Sequence, residues 1–228
     1  SSSSAASDVY KRQAMDNNKG IGKNNNLPWN LKSDLNRFQR ITTGNGNNAL
    51  IIGKNTWNSI KFLKRRDHLI LSTTLNLDYK QDENIVKSFK TIYDILDFIK
   101  VKKYETVWVI GGSEIYKKCL QMNLINELHI TLINDKYDCD TFFPDIPENY
   151  SIIKTQQLPD ITNNRKHVYS IIYKQLKEGD IVYHNNNIYT ILKIHYDNFP
   201  ELYFTIKDIN GKEKQTVSSK IKLQLKLK

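Results

Sequence analysis

From Ala14 to about residue 174, short apolar runs alternate with helix-like segments. Ala49–Ile52 ends at Gly53, His68–Leu71 at Ser72, and Val107–Ile110 at Gly111-Gly112. Runs this short, bounded by turn residues and rich in branched apolar side chains, predict strands buried on both faces. Between them, Leu31, Leu35, Phe38 and Ile41 fall at helical spacing, as do Ile92, Ile95, Leu96 and Ile99. Strand–helix alternation of this kind predicts an α/β sheet. Glu127–Ile133 and His167–Tyr173 read as further strands near its edge, joined by an acidic, Pro-bearing loop.

The pattern changes after Lys174. Ile188–Ile194 and Leu202–Ile206 are strand-like, and Asn210-Gly211 between polar flanks predicts a hairpin turn. The tail alternates, with Ile221, Leu223, Leu225 and Leu227 on one side and mostly lysines on the other. No helix is expected there. The chain is therefore divided into residues 14–174, an α/β domain, and 175–228, a small all-β domain beginning Glu178-Gly179-Asp180 and resembling an SH3-like barrel. About 50 residues make a marginal core, so this segment could dock on the larger domain or on a protein partner.

Composition narrows the function classes. A hydrophobic fraction of 39 % suits a packed globular protein rather than a disordered chain, and no apolar run approaches the length of a membrane span. The net charge of +10 admits a polyanionic ligand or nucleic acid. The lysines are spread along the chain without a basic block interleaved with aromatics, so nucleic acid is not the expected partner. Cys119 and Cys139 make no metal or redox spacing, which favours a reducing, cytoplasmic setting. The five histidines show no ligand spacing, and no metal is expected.

The chain start is anomalous. Residues 1–7 are serine-rich, and Asp8–Gln13 (DVYKRQ) resembles a translated sequencing-library adapter. Residues 1–13 are accordingly read as foreign or disordered. Without an apolar core they are not a signal peptide.

Three segments carry candidate chemistry. Gly20-Ile21-Gly22 leads to Leu27-Pro28-Trp29 and then Asp34 on a helix. Gly53-Lys54-Asn55-Thr56 and Ile110-Gly111-Gly112-Ser113-Glu114-Ile115-Tyr116 are both strand-to-helix turns. Exposed N–H groups and the helix dipole suit such turns to anions, and glycine permits close backbone approach. Neither carries the G-x-G-x-x-G fingerprint, so an ordinary Rossmann domain is not supported. Asp34, among Leu31, Leu35 and Phe38, is either a first-turn surface carboxylate or a cleft carboxylate that binds a cationic or amidine-like group.

Asp16–Asp145 resembles dihydrofolate reductase over nearly its whole length, with these segments in order. GIGKNNNLPWNLKSDLNRF is similar to the family's active-site loop and substrate helix, IIGKNTWNSI and VWVIGGSEIY to its cofactor turns, and DTFFPD to a strand-end motif. The resemblance implies a mixed, mostly parallel sheet flanked by helices, and NADPH-dependent hydride transfer to C6 of dihydrofolate, with protonation at N5. It makes Asp34 the carboxylate that binds the pterin 2-amino group and N3, and Thr131 its brace. Trp29 would hold a water near the pterin, and Leu27 would sit on the loop over the nicotinamide. Leu35, Phe38 and Ile60 would line the apolar cleft, and Arg66 would pair with the substrate's α-carboxylate. Lys54, Ser72 and Thr73 would meet the adenosine 2′-phosphate, and Thr56 with Gly111–Ser113 the pyrophosphate. Tyr116 would lie beside the nicotinamide. Ala14, Ile21, Gly22, Gly53, Asn55, Ile110, Glu114 and Ile115 complete the implied cofactor site.

Some positions depart from the family pattern. Phe62-Leu63-Lys64-Arg65-Arg66 lacks the usual Pro and Gly, and Ser113 replaces a glycine. Where the first strand should run stands Asp8–Gln13, so a central strand is expected to be missing. No thymidylate synthase sequence is visible. Rival readings are a reductase of a riboflavin-pathway pyrimidine, disfavoured by Pro28-Trp29 and Asp34, and a non-catalytic binding protein of the same fold.

Overall fold

The computed structural model describes residues 8–159, 167–197 and 202–224. Its elements are β1 (Asp8–Asp16), β2 (Gly20–Gly22), α1 (Lys32–Thr43), β3 (Asn48–Gly53), α2 (Lys54–Ser59), β4 (Asp67–Leu71), β5 (Asp78–Gln81), β6 (Asn84–Phe89), α3 (Ile92–Lys102) and β7 (Thr106–Gly111). They continue with α4 (Ser113–Gln121), β8 (Glu127–Ile133), β9 (Thr141–Phe142), β10 (Tyr150–Leu158), β11 (Val168–Gln175), β12 (Ile181–His184), β13 (Asn187–His195), β14 (Tyr203–Asp208), β15 (Glu213–Val217) and β16 (Lys222–Leu223).

A nine-stranded sheet runs β10-β11-β8-β1-β7-β3-β4-β6-β5. Strand β1 is parallel to β7 and β8, β3 to β4 and β7, and β4 to β6; β5 is antiparallel to β6. This is the mixed, mostly parallel sheet of an α/β fold. The apolar runs fill its centre: Leu50, Ile51, Ile52, Leu69, Ile70, Val107 and Val109 are all buried, as expected of strands covered on both faces. Helix α3 starts at a capping box, in which Thr91 accepts from the Asp94 N–H and the Asp94 carboxylate accepts from the Thr91 N–H.

The chain start corrects the sequence reading. Asp8–Gln13 is neither disordered nor a gap in the sheet, because with Ala14–Asp16 it forms β1, between β7 and β8. Lys11 pairs with Val109 and Leu128, and Ala14 with Thr131. Two flanking parallel strands supply a backbone ladder that a charged strand can complete, so tertiary pairing overrides the poor side-chain pattern. In consequence Lys11 and Arg12 lie buried in the sheet.

By compactness the chain divides into two units, Ser1–Pro144 with Gln156–Ser170, and Asp145–Thr155 with Ile171–Lys228. The second contains an antiparallel sheet in the order β15-β14-β13-β12-β16. Its core is built from Leu176, Val182, Ile191, Ile194, Leu202, Phe204, Ile206 and Ile221, with Tyr189 and Leu223 packed against it. Asn210-Gly211 makes the β14–β15 turn, with Asp208 N–H donating to Lys212 O at 3.0 Å and Gly211 at φ +86°. Leu225 and Leu227 lie outside the described residues. A short 3-10 turn, Ser218–Lys220, precedes β16. Among the described residues no helix is long and apolar enough to cross a membrane.

Candidate active site

The sheet and its helix starts enclose a cleft of about 770 Å³. Strand β1 supplies one wall through Arg12, Gln13 and Ala14, and α1 supplies Asp34, Leu35, Phe38 and Gln39. The β3–α2 and β7–α4 turns open on the same cleft, through Gly53–Thr56 and Ile110–Tyr116. Two strands diverging in the middle of a parallel sheet create such a crevice. Leu27 and Leu35 are about half exposed, and both face the cleft. Apolar side chains left open to water on a concave wall suit a ring-bearing ligand.

Glycine is required at two of the turn positions. A Cβ on Gly53 would stand 2.9 Å from Ile115 Cγ1, and Gly111 has φ +137°. Gly111 and Gly112 are joined by a cis peptide bond, and a Cβ on either would meet Thr56 Oγ1 at 3.2 Å. The backbone is therefore bare where α4 begins, and the first N–H groups of this helix have no intrahelical acceptor and no side-chain cap. Tyr116 is buried beneath it. Its hydroxyl donates to Gln13 Oε1 at 2.5 Å, and burial pushes its pKa well up, so it stays protonated.

Asp34 stands at the cleft floor, 4 % exposed. Its helix begins at Leu31 without a side-chain cap, and its carboxylate is taken up by an arginine that the sequence reading assigned to a foreign segment. Arg12 Nη1 donates to Asp34 Oδ2 at 2.9 Å, and Nη2 donates to Oδ1. The same Nη2 lies 3.2 Å from both Asp34 O and Thr131 Oγ1. Thr131, fully buried, thus accepts from the guanidinium, so its contact with the carboxylate runs through Arg12 rather than directly.

The other expected residues divide in two. Ala14, Ile21, Gly22, Leu27, Leu35, Phe38 and Ile60 line the cleft with Asp34 and the two turns. Trp29, Thr131, Arg66, Ser72 and Thr73 do not line it. Trp29 packs with Ala14, Leu31, Ile133 and Val168, its ring edge-on to Tyr137. Its indole N–H has no hydrogen-bond partner among the described residues.

Arg66 is fully buried, donating to Thr42 Oγ1 at 2.6 Å, Gln39 Oε1 at 2.8 Å and Lys64 O at 3.1 Å. Burial, and then the neighbouring Arg65, bring its pKa down to about 10, which leaves it a cation at neutral pH. Its guanidinium is spent on α1 and its own turn, and Gln39 is the residue it presents to the cleft.

Ser72 Oγ accepts from the Thr74 and Leu75 N–H groups, so it closes a local turn, while Thr73 is exposed. Lys54 Nζ donates to Thr74 Oγ1 at 2.8 Å, which holds a cation beside the β3–α2 turn.

The sequence reading missed Arg12, Gln13, Gln39, Asn25, Asn26, Ser59, Lys61, Leu63, Leu71 and Thr141 as lining residues. Phe38 and Ile60 are apolar landmarks at their ends of the cleft, and polar neighbours at helical or alternating spacing from such landmarks are the one signal available. Arg12 carried no signal of this kind.

An α/β sheet whose central crevice is lined by two glycine-bearing turns and floored by a carboxylate is the arrangement of a small-molecule-binding α/β protein. Residues 12–175 match the family model described as dihydrofolate reductase. The chain is 36 % identical over 171 residues to the viral dihydrofolate reductase of Saimiriine herpesvirus 2 (strain 488), covering 71 % of this chain and 79 % of that protein. It is 37 % identical over 139 residues to the dihydrofolate reductase of Gallus gallus, covering 57 % of this chain and 74 % of the relative. A third relative, the bifunctional dihydrofolate reductase-thymidylate synthase of Plasmodium berghei (strain Anka), is 35 % identical over 161 residues, 65 % of this chain and 27 % of that protein. The chain belongs to the dihydrofolate reductase family.

Proposed function

We propose that this chain reduces 7,8-dihydrofolate to tetrahydrofolate with NADPH, by hydride transfer to pterin C6 and protonation at N5. The observation that carries the proposal is that Asp34 and both glycine-bearing turns line one cleft. The donor set fits the cofactor: bare backbone at Gly53, Gly111 and Gly112, the start of α4 for a pyrophosphate, and Lys54 for a further phosphate. When bound, NADPH supplies the hydride from its nicotinamide C4.

The chain's own residues do the rest. Leu27, Leu35, Phe38 and Ile60 exclude water around the rings. Asp34 fixes the pterin by a fork of hydrogen bonds to its 2-amino group and N3, and its charge favours the protonated ring. The proton reaches N5 from water. Tyr116, protonated and tied to Gln13, shapes the wall beside the nicotinamide. Loss of one preorganised hydrogen-bonding partner of developing charge typically costs ~10²–10³-fold in rate.

The test is steady-state NADPH oxidation with dihydrofolate. Asp34→Asn should lower turnover by about 10²-fold or more. Near-normal turnover in that variant overturns the assignment of Asp34. No dihydrofolate-dependent oxidation by either the parent or an Arg12→Ile variant overturns the function.

Within the same proposal, the domain boundaries are 14–174 for the reductase, extended by the residues of β1, and 175–228 for an SH3-like domain. A four-stranded meander, β12 to β15, whose first strand is joined by the short β16 supports the latter. Two cysteines free of disulfide, Cys119 and Cys139, support a cytoplasmic setting.

A further inference from the structure

We infer that Arg12, in the chain as it stands, competes with the pterin, occupying the Asp34 carboxylate and the Phe38 face so that a 2-aminopyrimidine ring enters only when the guanidinium leaves. The inference rests on the dihydrofolate reading above. Its first support is the match of donors. A carboxylate recognises an amidine by two parallel hydrogen bonds, and a guanidinium presents the same fork. Arg12 uses both Asp34 oxygens, Oδ2 through Nη1 and Oδ1 through Nη2. The pterin's 2-amino group and N3 need those same two oxygens, and the two forks cannot be made at once.

The second support is the wall. The Arg12 guanidinium carbon lies 5.5 Å from the centre of the Phe38 ring, and both residues line the cleft. A planar cation near that face stands where a pterin held by Asp34 would lie. Third, Arg12 is anchored at one end only. Nη1 and Nη2 make every hydrogen bond of the guanidinium, whereas Nε is buried with no partner among the described residues. The backbone of Arg12 is fixed by its pairing with His129 in β8. Departure therefore requires side-chain rotation and no change in the sheet.

The consequence is a penalty on ligand affinity. For a ligand that binds only the open form, the apparent dissociation constant is the intrinsic one divided by the open fraction. If the closed form outweighs the open one tenfold, affinity falls about tenfold. Of the cofactor-turn residues, Tyr116 donates to the Arg12 backbone carbonyl at 3.3 Å rather than to the guanidinium or to Asp34, so NADPH should escape the penalty.

The experiment compares the full chain with Arg12→Ile and Arg12→Lys. It measures the dissociation constants of NADPH and of a 2,4-diaminopteridine by titration calorimetry, and KM and kcat for dihydrofolate. Arg12→Ile should tighten the diaminopteridine and lower the dihydrofolate KM at least tenfold, with the NADPH constant within about twofold of the parent. Arg12→Lys keeps a cation in the strand but loses the fork, and should give a gain of at least threefold. It also serves if the isoleucine variant folds poorly. Equal pteridine affinity in the parent and either folded variant overturns the inference while leaving the dihydrofolate reading intact. Failure of all three proteins to bind the pteridine, with NADPH still bound, overturns that reading and the inference with it.

Discussion

Asp34→Asn should destabilise the unliganded protein, quite apart from its effect on turnover. Asp34 and Arg12 are 4 % and 5 % exposed, and each is the other's charge partner. Removing one partner of a buried pair strands the other charge, at a cost of ~3–5 kcal/mol. The introduced amide keeps one acceptor for Nη2, and Thr131 Oγ1 and the backbone carbonyl of the substituted residue remain, which argues for the lower end, about 3 kcal/mol. Arg12→Ile is not the mirror image. It leaves Asp34 at the floor of an open cleft where water can solvate it, and it adds an apolar side chain to a core strand. Its cost should stay within about 1–2 kcal/mol. In Arg12→Ile/Asp34→Asn no charge is stranded, so the double variant should be more stable than Asp34→Asn alone, with a coupling energy of roughly 2–3 kcal/mol. Urea unfolding followed by tryptophan fluorescence is the suitable assay. Trp29, Trp57 and Trp108 all lie within Ser1–Pro144, so the signal reports the unit that holds the pair. Stabilities of Asp34→Asn and the double variant both within about 0.5 kcal/mol of the parent would refute the reasoning.

Two further perturbations test the unusual burial. Lys11 is fully buried, its amine 3.7 Å from the centre of the Tyr116 ring and 3.0 Å from that of Phe143, with no hydrogen-bond partner among the described residues. Burial drives its pKa well below the ordinary range, so Lys11→Met should stabilise by ~1–3 kcal/mol in urea unfolding. Between the lowered folded value and the unfolded one near 10.4 the unfolded chain holds more protons, so parent stability should rise with pH there and the Met variant should lack that rise. His68, also fully buried, accepts from the Leu63 N–H, and burial and then Arg66 push its pKa down to about 4. The unfolded chain then takes up a proton near pH 6.5 that the folded one refuses, so stability is full above 6.5 and declines toward 4, by roughly 3 kcal/mol in total. His68→Gln should remove that share of the acid loss, and equal acid sensitivity in the variant would count against the assignment.

Several elements were legible because local signals and burial agree. Strand β3 is buried throughout its length, and after Asn48 its sequence is the apolar run Ala49–Ile52 ending in glycine. Helix α3 carries its own start signal in Thr91 and Asp94. Other features are fixed by partners distant in sequence. DVYKRQ is a poor strand by composition, yet β7 and β8 leave a place that only a strand can fill. The β5–β6 hairpin turns at Asp82 and Glu83, both with positive φ and neither a glycine, so the usual turn signal is missing. The family resemblance made Arg66 the partner of a substrate carboxylate, and its capture by Thr42 and Gln39 was not readable. Asp34 was readable from its neighbours as either a surface or a cleft carboxylate, and the family resemblance chose the cleft. Its pairing with Arg12 was hidden, because the two residues are 22 positions apart in sequence.

The most direct measurement follows the hydride itself. NADPH carrying deuterium at both C4 positions, supplied with dihydrofolate to the parent and to Arg12→Ile, should give tetrahydrofolate with one deuterium at C6 for each NADPH oxidised. Product without label at C6, or NADPH oxidation that proceeds equally without dihydrofolate, would contradict hydride transfer in this cleft.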